Sequence, residues 1–195
     1  MDFKLKSDFE PTGDQPQAIA QLVKGLKEGI PAQVLQGVTG SGKTEVYISL
    51  ARQLLQEGKT AMILVPEIAL TPQMMQRFSL HFGEDVALLH SGLGIAERYD
   101  QYKRIRQGLA KIVLGTRSAV FAPLQNLGMI VIDEEQEGSY ESEKPPCYHA
   151  RDIAKYRCAK EGAWLVLGSA TPTVETAYLA QKGDYRLSLL RKRYN

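Results

Sequence analysis

The residues of this chain that could do chemistry fall into two short runs. The first is Gly37-Val38-Thr39-Gly40-Ser41-Gly42-Lys43-Thr44, which fits the phosphate-loop spacing G-x-x-x-x-G-K-[ST]. A triphosphate needs many aligned donors within a small concave space. Glycines at 37, 40 and 42 let the backbone bend and come close to phosphate oxygens without a Cβ in the way. A helix starting directly after the loop aims its N-terminal N–H groups at the anion. In such loops the lysine, here Lys43, adds a point charge between the β- and γ-phosphates, and the hydroxyl of the following residue, Thr44, reaches Mg²⁺. Gly37, Thr39, Gly40, Ser41, Gly42, Lys43 and Thr44 are therefore the expected nucleotide-binding set, with ATP and Mg²⁺ as the ligands.

The second run is Met129-Ile130-Val131-Ile132-Asp133-Glu134-Glu135-Gln136. Two carboxylates stand just past an apolar segment. In phosphate-loop motors the first acid holds the Mg²⁺ shell, and the second is placed to take a proton from the attacking water. Asp133 is thus the expected metal ligand beside Thr44, and Glu134 the expected general base beside Lys43. A solvated acidic turn after a core strand would look the same in isolation; the phosphate loop upstream is what favours catalysis. A small-molecule kinase needs no water activated at this position.

These residues need a scaffold, and the chain supplies alternating segments of strand-like and helix-like pattern. Helices are predicted over Ala18–Leu26, Lys43–Gln56, Pro72–Phe82, Ala96–Gln107, Ala150–Lys160 and Thr173–Gln181. Each of the last five is followed by a stop glycine or opened by an early Pro. Strands are predicted over Gln33–Gln36, Ala61–Val65, Val86–Leu89, Lys111–Leu114, Met129–Ile132 and Trp164–Leu167. Several are continuously apolar, which indicates a parallel sheet covered on both faces. The fold class is α/β, doubly wound. Ligands in such folds sit at the carboxyl ends of strands, and both chemical runs begin where a predicted strand stops.

Bulk composition narrows the class. The chain has 195 residues, 44% of them hydrophobic and 24% charged, with a net charge of +2. That is ordinary globular composition, long enough for one sizeable core, with no global positive field. The two cysteines, Cys147 and Cys158, match no metal or disulfide pattern. They suggest a reduced, cytosolic chain, and no zinc site is expected. No apolar run approaches the ~20 residues that span a bilayer, so no membrane partner is expected.

Three further segments resemble helicase motifs. Leu167-Gly168-Ser169-Ala170-Thr171-Pro172 is similar to the S-A-T motif of superfamily-two helicases, which links nucleotide state to grip on DNA. Val65-Pro-Glu-Ile-Ala-Leu-Thr71-Pro-Gln73 resembles their motif Ia, and Gly115-Thr116-Arg117-Ser118-Ala-Val-Phe121-Ala-Pro123 their motif Ib. The detailed wording, GVTGSGKTEVY, LVPEIALTPQ, LHSGL, GTRSAVFAP, VIDEE, YHARDIA and GSATPTVET, resembles the first helicase lobe of the PriA family of replication-restart helicases from about Gly37 onward. The resemblance implies a RecA-like lobe with a mostly parallel sheet and helices on both faces. It implies ATP-driven 3′–5′ movement on single-stranded and forked DNA, with other primosome proteins and single-stranded DNA-binding protein as partners. It assigns phosphate contacts to Thr71, Thr116, Arg117 and Ser118, and coupling of ATP to DNA to Ser169, Thr171 and Gln136.

The front end, Phe9-Glu-Pro11-Thr-Gly-Asp-Gln15-Pro-Gln17-Ala-Ile19, resembles the start of the excision-repair helicase UvrB. Both families place a glutamine here that reads the adenine edge; Gln15 is that residue by alignment, and Gln17 is the alternative. Residues 1–30 are expected to form an N-terminal adenine-recognition segment packed on an ATP-binding domain, residues 31–195. The resemblance also implies a second lobe with an arginine finger, an N-terminal DNA-binding region and a zinc-binding insertion. None is visible here, so the chain reads as a fragment.

The sequence departs from the family at two places. Position 136 is Gln where the family has His, keeping hydrogen-bonding capacity without charge. The segment from Gly138 to Tyr148, aromatic and partly basic in the family, holds Tyr140 and Tyr148 but also Glu141, Glu143 and Cys147. The two tyrosines either stack on DNA bases or pack beneath the loop. His90 suits a structural hydrogen bond or DNA. His81 and His149 read as surface or capping residues, and Arg98, Lys103, Arg104 and Arg106 as a solvated helix face. Trp164 reads as core, and Arg191-Lys-Arg193 as a linker. Two other functions remain open: a UvrB-like repair subunit, and a nucleotide switch that does not hydrolyse.

Overall fold

The computed structural model describes residues 11–30 and 32–191. Phe9 and Glu10 of the UvrB-like stretch, and Lys192 and Arg193, lie outside the described residues. Seven parallel strands form one sheet in the order β3-β4-β2-β5-β6-β1-β7. They are β1 (Ala32–Gly37), β2 (Thr60–Leu64), β3 (Val86–Leu89), β4 (Ile112–Gly115), β5 (Leu127–Ile132), β6 (Trp164–Ser169) and β7 (Arg186–Leu190). The helices are α1 (Gln15–Lys27), α2 (Lys43–Gln56), α3 (Pro72–Phe82), α4 (Ile95–Arg106), α5 (Ala150–Glu161) and α6 (Val174–Lys182).

The continuous apolar strands are explained by burial on both faces. Successive side chains point to opposite sides of a sheet. Met62, Leu64, Val113, Ile130, Ile132, Leu165 and Leu167 enter one core with Ile105 of α4 and Ala154 and Cys158 of α5. Ala61, Ile63, Ile112, Leu114, Met129, Val131 and Val166 enter the other with Leu22 of α1, Val46, Leu50 and Leu54 of α2, and Phe78 of α3. No strand face is left for water except at the edges, so no polar alternation appears in the sequence.

α1 begins three residues before its predicted start, with Pro16 in its first turn, where the missing N–H costs nothing. It packs on α2 and β7, as part of the same core as the ATP-binding domain. β7 has no counterpart in the sequence reading. It is a short edge strand whose burial alternates, and its five residues, Arg186, Ser188 and three leucines, are too few and too mixed to stand out as a strand. It adds to β1 in parallel, Gln33 to Arg186 through Gly37 to Leu190.

Candidate nucleotide site

The order of the sheet brings β5, β6 and β1 side by side. Their carboxyl ends therefore converge, with Gln36 of β1 opposite Ser169 of β6 and Ile132 of β5 opposite Leu167. This register is what assembles motifs more than ninety residues apart in the chain. The phosphate loop leaves β1 and enters α2 through Gly40 and Gly42, both left-handed at φ 82° and 84°. Gly42 caps α2 without a side-chain bond. A Cβ at Gly42 would lie 2.0 Å from Gln15 Nε2.

Gln15 is thus the glutamine that abuts the loop. Its side chain is buried, its Nε2 donates to the Ser41 carbonyl at 3.5 Å and its Oε1 accepts from Thr12 N–H at 3.2 Å. Gln17 is exposed and lines a separate cleft with Asp14, Gln21 and Arg191. In this geometry both polar ends of the Gln15 amide are engaged by the protein, so the side chain braces the loop.

The charged groups share one cavity of about 370 Å³, lined by residues 38–45 with Arg77, Asp133 and Glu134. Lys43 is buried; its Nζ donates to the Gly37 carbonyl at 3.1 Å and pairs with Glu134 Oε1 at 3.1 Å. Asp133 Oδ1 accepts from Tyr47 Oη at 2.8 Å. Tyr47 was missed in the sequence, although it lies one helical turn after Lys43 and so faces the same strand ends. Burial, and then the Asp133 charge, push its phenol well above the usual range, so it remains a donor.

Asp133 and Glu134 differ in environment. Burial raises the Asp133 carboxyl despite the Tyr47 bond and the Lys43 charge. Burial would also raise Glu134, but the Gln136 amide, the Lys43 ammonium and the Ala170 backbone outweigh it, and Glu134 is held below the usual carboxylate value. Glu134 adopts φ 48°, a left-handed conformation unusual outside glycine. Such strain is concentrated at functional sites. Gln136 Nε2 donates to Glu134 Oε2 at 3.0 Å, and Gln136 Oε1 accepts from Ser169 Oγ at 2.6 Å. Ser169 Oγ in turn accepts from Thr171 N–H at 2.8 Å. The uncharged residue at 136 therefore bridges the expected base to the S-A-T segment.

The residues fit a magnesium–nucleotide complex. Ser41 Oγ is buried with no hydrogen-bond partner, an orphan donor inside a cradle whose width depends on glycine at 42. Thr44 and Asp133 share the cavity. Among the described residues no three His, Cys, Asp or Glu side chains converge to hold an ion by themselves. Mg²⁺, which retains several waters and takes only one or two carboxylates, suits that donor set.

The profile of the DEAD/DEAH box helicases matches residues 12–179. The chain belongs to that family. It is 46% identical over 192 residues to the replication restart protein PriA of Bacillus subtilis (strain 168), covering 97% of this chain and 24% of that protein. It is 48% identical over 168 residues to PriA of Synechocystis, covering 86% of this chain and 20% of the relative. The chain thus spans about a quarter of the length of the curated relatives it matches. Among solved structures, RecG bound to a three-way DNA junction superposes with a TM-score of 0.69 at 24% identity, covering 96% of this chain and 24% of that one. The helicase MrfA bound to DNA superposes at 0.65 and 20% identity, covering 99% of this chain and 30% of that one. At these identities the likeness is one of fold, a RecA-like helicase lobe.

On this helicase lobe the expected DNA residues do not form one set. Thr116, Arg117 and Ser118 line a cavity of about 500 Å³ with Ser91, Arg98, Glu137 and Ser139. Thr71 is elsewhere: it caps α3, accepting from Met74 N–H at 3.3 Å, and lines the cavity of Thr44 and Asp133. Arg117 donates to the carbonyls of Ser139, at 3.2 Å, and Glu141. Its guanidinium stands 5.9 Å from the centroid of the Tyr148 ring.

Tyr140 requires a correction. It is 1% exposed, and its Oη donates to the carbonyls of Asp133 at 2.6 Å and Leu64 at 3.1 Å. A ring packed in the core cannot stack on a base. Tyr148 is half-buried, edge-on to Phe121 with centroids 5.0 Å apart. Among the histidines, His149 caps α5 by accepting from Arg151 N–H at 3.1 Å, and His81 meets Arg52 at 2.8 Å. Arg104 is not free on its helix face, since it donates to the carbonyls of Glu84 and Val86.

The lobe also uses a residue whose role the sequence concealed. Glu135 is fully buried and has no place in the cavity. It accepts from Thr173 N–H at 2.8 Å and pairs with Arg151 at 3.2 Å, while Arg151 also holds Glu175 at 2.9 Å. Three consecutive acids thus face Tyr47, Lys43 and the S-A-T loop respectively.

Proposed function

We propose that this chain is the ATP-binding lobe of an ATP-dependent 3′–5′ DNA helicase or translocase that acts in the restart of stalled replication forks and in primosome assembly. The observation that carries the ATP chemistry is the convergence of Lys43, Thr44, Asp133 and Glu134 on one cavity. The replication-restart setting comes from relatives of that name at 42–48% identity. Single-stranded and forked DNA would be the track, with single-stranded DNA-binding protein and other primosome proteins as partners.

Thr44 and Asp133 are the residues that would hold Mg²⁺, which when bound neutralises charge on the β- and γ-phosphates. Lys43 stands between Gly37 and Glu134 and supplies the fixed cation of the phosphate site. Glu134, kept ionised by its neighbours, takes the proton from the attacking water. A change at Glu134 on turnover reaches Ser169 through Gln136, and Ser169 orders Thr171. Thr116, Arg117 and Ser118 would contact phosphates, which positions DNA without reading sequence.

The test is phosphate release by the full-length protein with Mg-ATP, with and without single-stranded DNA, for wild type, Lys43→Ala and Glu134→Gln. Stimulation by DNA is expected in the wild type. Lys43→Ala should lose nucleotide binding, and Glu134→Gln should bind ATP but turn over about 10²–10⁴-fold more slowly, the usual contribution of a general base. Normal turnover by Glu134→Gln would remove Glu134 from the chemistry; normal turnover by Lys43→Ala would end the assignment of the site.

A further inference from the structure

One carboxylate beside the phosphate loop has no part in the mechanism above. Glu45 follows Thr44 in the first turn of α2 and is 4% exposed. Its Oε1 pairs with Arg77 of α3 at 3.0 Å. Its Oε2 is the only buried carboxylate oxygen among the described residues that lacks a hydrogen-bond partner. Buried polar groups are almost always paired, so an orphan acceptor at this depth needs an explanation. Capping does not provide one, because α2 has no side-chain cap bond.

The surroundings point toward the metal. Glu45 lines the phosphate cavity and also an adjoining cavity of about 680 Å³ that runs along α3. Thr44 and Asp133, the two expected Mg²⁺ ligands, line both. Mg²⁺ bound through one or two protein oxygens keeps several waters, and each of those waters needs an acceptor. Asp133 Oδ1 already accepts from Tyr47, Glu134 Oε2 from Gln136, and Glu134 Oε1 faces Lys43. Glu45 Oε2 accepts from nothing.

We propose that Glu45 is an outer-sphere acceptor for the Mg²⁺ of the nucleotide complex, taking a hydrogen bond from a metal-bound water on the α3 side while Arg77 fixes its other oxygen. Glu45 acts through that water and is a positioning residue. The inference rests on the nucleotide-binding reading of the site and adds a third carboxylate to it. It also ties α3, whose cap is Thr71, to the occupancy of the metal site.

The test is the Mg²⁺ dependence of binding of a fluorescent N-methylanthraniloyl-ATP to this chain, in wild type, Glu45→Gln and Glu45→Asp, with circular dichroism to establish folding. Removing an outer-shell partner of a metal ligand typically weakens metal affinity 10–100-fold. Glu45→Gln should therefore raise the half-saturating Mg²⁺ concentration by about tenfold or more. Glu45→Asp, which keeps the charge but withdraws it by one methylene, should raise it by a smaller factor. If Glu45→Gln fails to fold, the aspartate variant decides. An unchanged Mg²⁺ requirement in either folded variant overturns the inference and leaves the nucleotide site standing. Absence of Mg²⁺-dependent binding in the wild type overturns both.

Discussion

Asp133 and Glu134 are neighbours in the chain, yet their surroundings move their acidities in opposite directions. Asp133, on the buried side with Tyr47, is raised from its ordinary 3.8; Glu134, beside Lys43 and Gln136, is lowered from its ordinary 4.5. The consequences for stability have opposite sign. Glu134 contributes stability that is present above pH 4.5 and lost as pH falls through its lower folded value. Asp133 binds its proton more tightly when folded, so its ionised form opposes folding at neutral pH. A buried carboxylate of this kind is therefore a local cost, which the proposed Mg²⁺ role of Asp133 would explain. Asp133→Asn should stabilise the metal-free chain by about 1 kcal/mol, raising Tm by roughly 2–4 °C at this chain length. Calorimetry near pH 7.5 with chelator present measures it. A lower Tm would show that the Tyr47 bond to the carboxylate outweighs burial.

At the scale of elements, the segment after β5 is held by contacts running in two directions. Glu135 and Arg151 tie the start of α5 to the turn before α6. Tyr140 ties the following turn back to the ends of β2 and β5. Cutting one partner from a buried ion pair costs about 3–5 kcal/mol. Glu135→Ala should fall near the lower end, because Arg151 retains Glu175. Urea unfolding would measure it, and a loss under about 1 kcal/mol would mean that Arg151 simply repartners, as an exposed pair would allow. Tyr140→Phe leaves the ring in the core and removes the one hydroxyl proton shared between the Asp133 and Leu64 carbonyls, at about 1 kcal/mol. Its affinity for single-stranded DNA should equal that of the wild type, measured by fluorescence anisotropy. Weaker binding by the folded variant would place the Tyr140 hydroxyl, which this substitution removes, at the DNA.

At the scale of the molecule, on the proposed reading one lobe supplies part of the site of a two-lobed motor. Lys43, Thr44, Asp133 and Glu134 line one cavity, the proposed nucleotide site. The family resemblance places the arginine that meets the γ-phosphate on a second lobe, and the lack of such an arginine lowers turnover by roughly 10³–10⁵. This chain alone should therefore hydrolyse ATP at least about 10³-fold more slowly than the full-length protein, without stimulation by single-stranded DNA. Phosphate release by both proteins, side by side, decides. Turnover that rises with DNA in the short chain would require an arginine from this lobe or from a second copy of it.

How much was legible beforehand differed by kind of feature. α2, α3 and β3 end where their sequence signals place them, because local chemistry sets those ends: Gly42 and Lys43 open one helix, Thr71 and Pro72 another. That the phosphate-loop run and the Asp133–Glu134 pair stand at strand ends was legible for the same reason, since each is a continuous run directly after an apolar strand. β7 was not, because an edge strand owes its existence to a partner, and its own pattern is weak. Nor were the roles of Tyr47, Glu45, Glu135 and Tyr140. Each is decided by which distant groups the sheet order places beside it: Asp133 from 86 residues away, Arg77 on the next helix, Arg151 and Thr173 after the loop, and the Leu64 carbonyl on β2. The amino-acid sequence alone determined the family this chain belongs to and the kind of sheet that displays its motifs. Only the tertiary structure decided which acid pairs with Lys43, which is locked against Arg151, and which tyrosine is packed in the core, because burial and partnership are properties of neighbours in space.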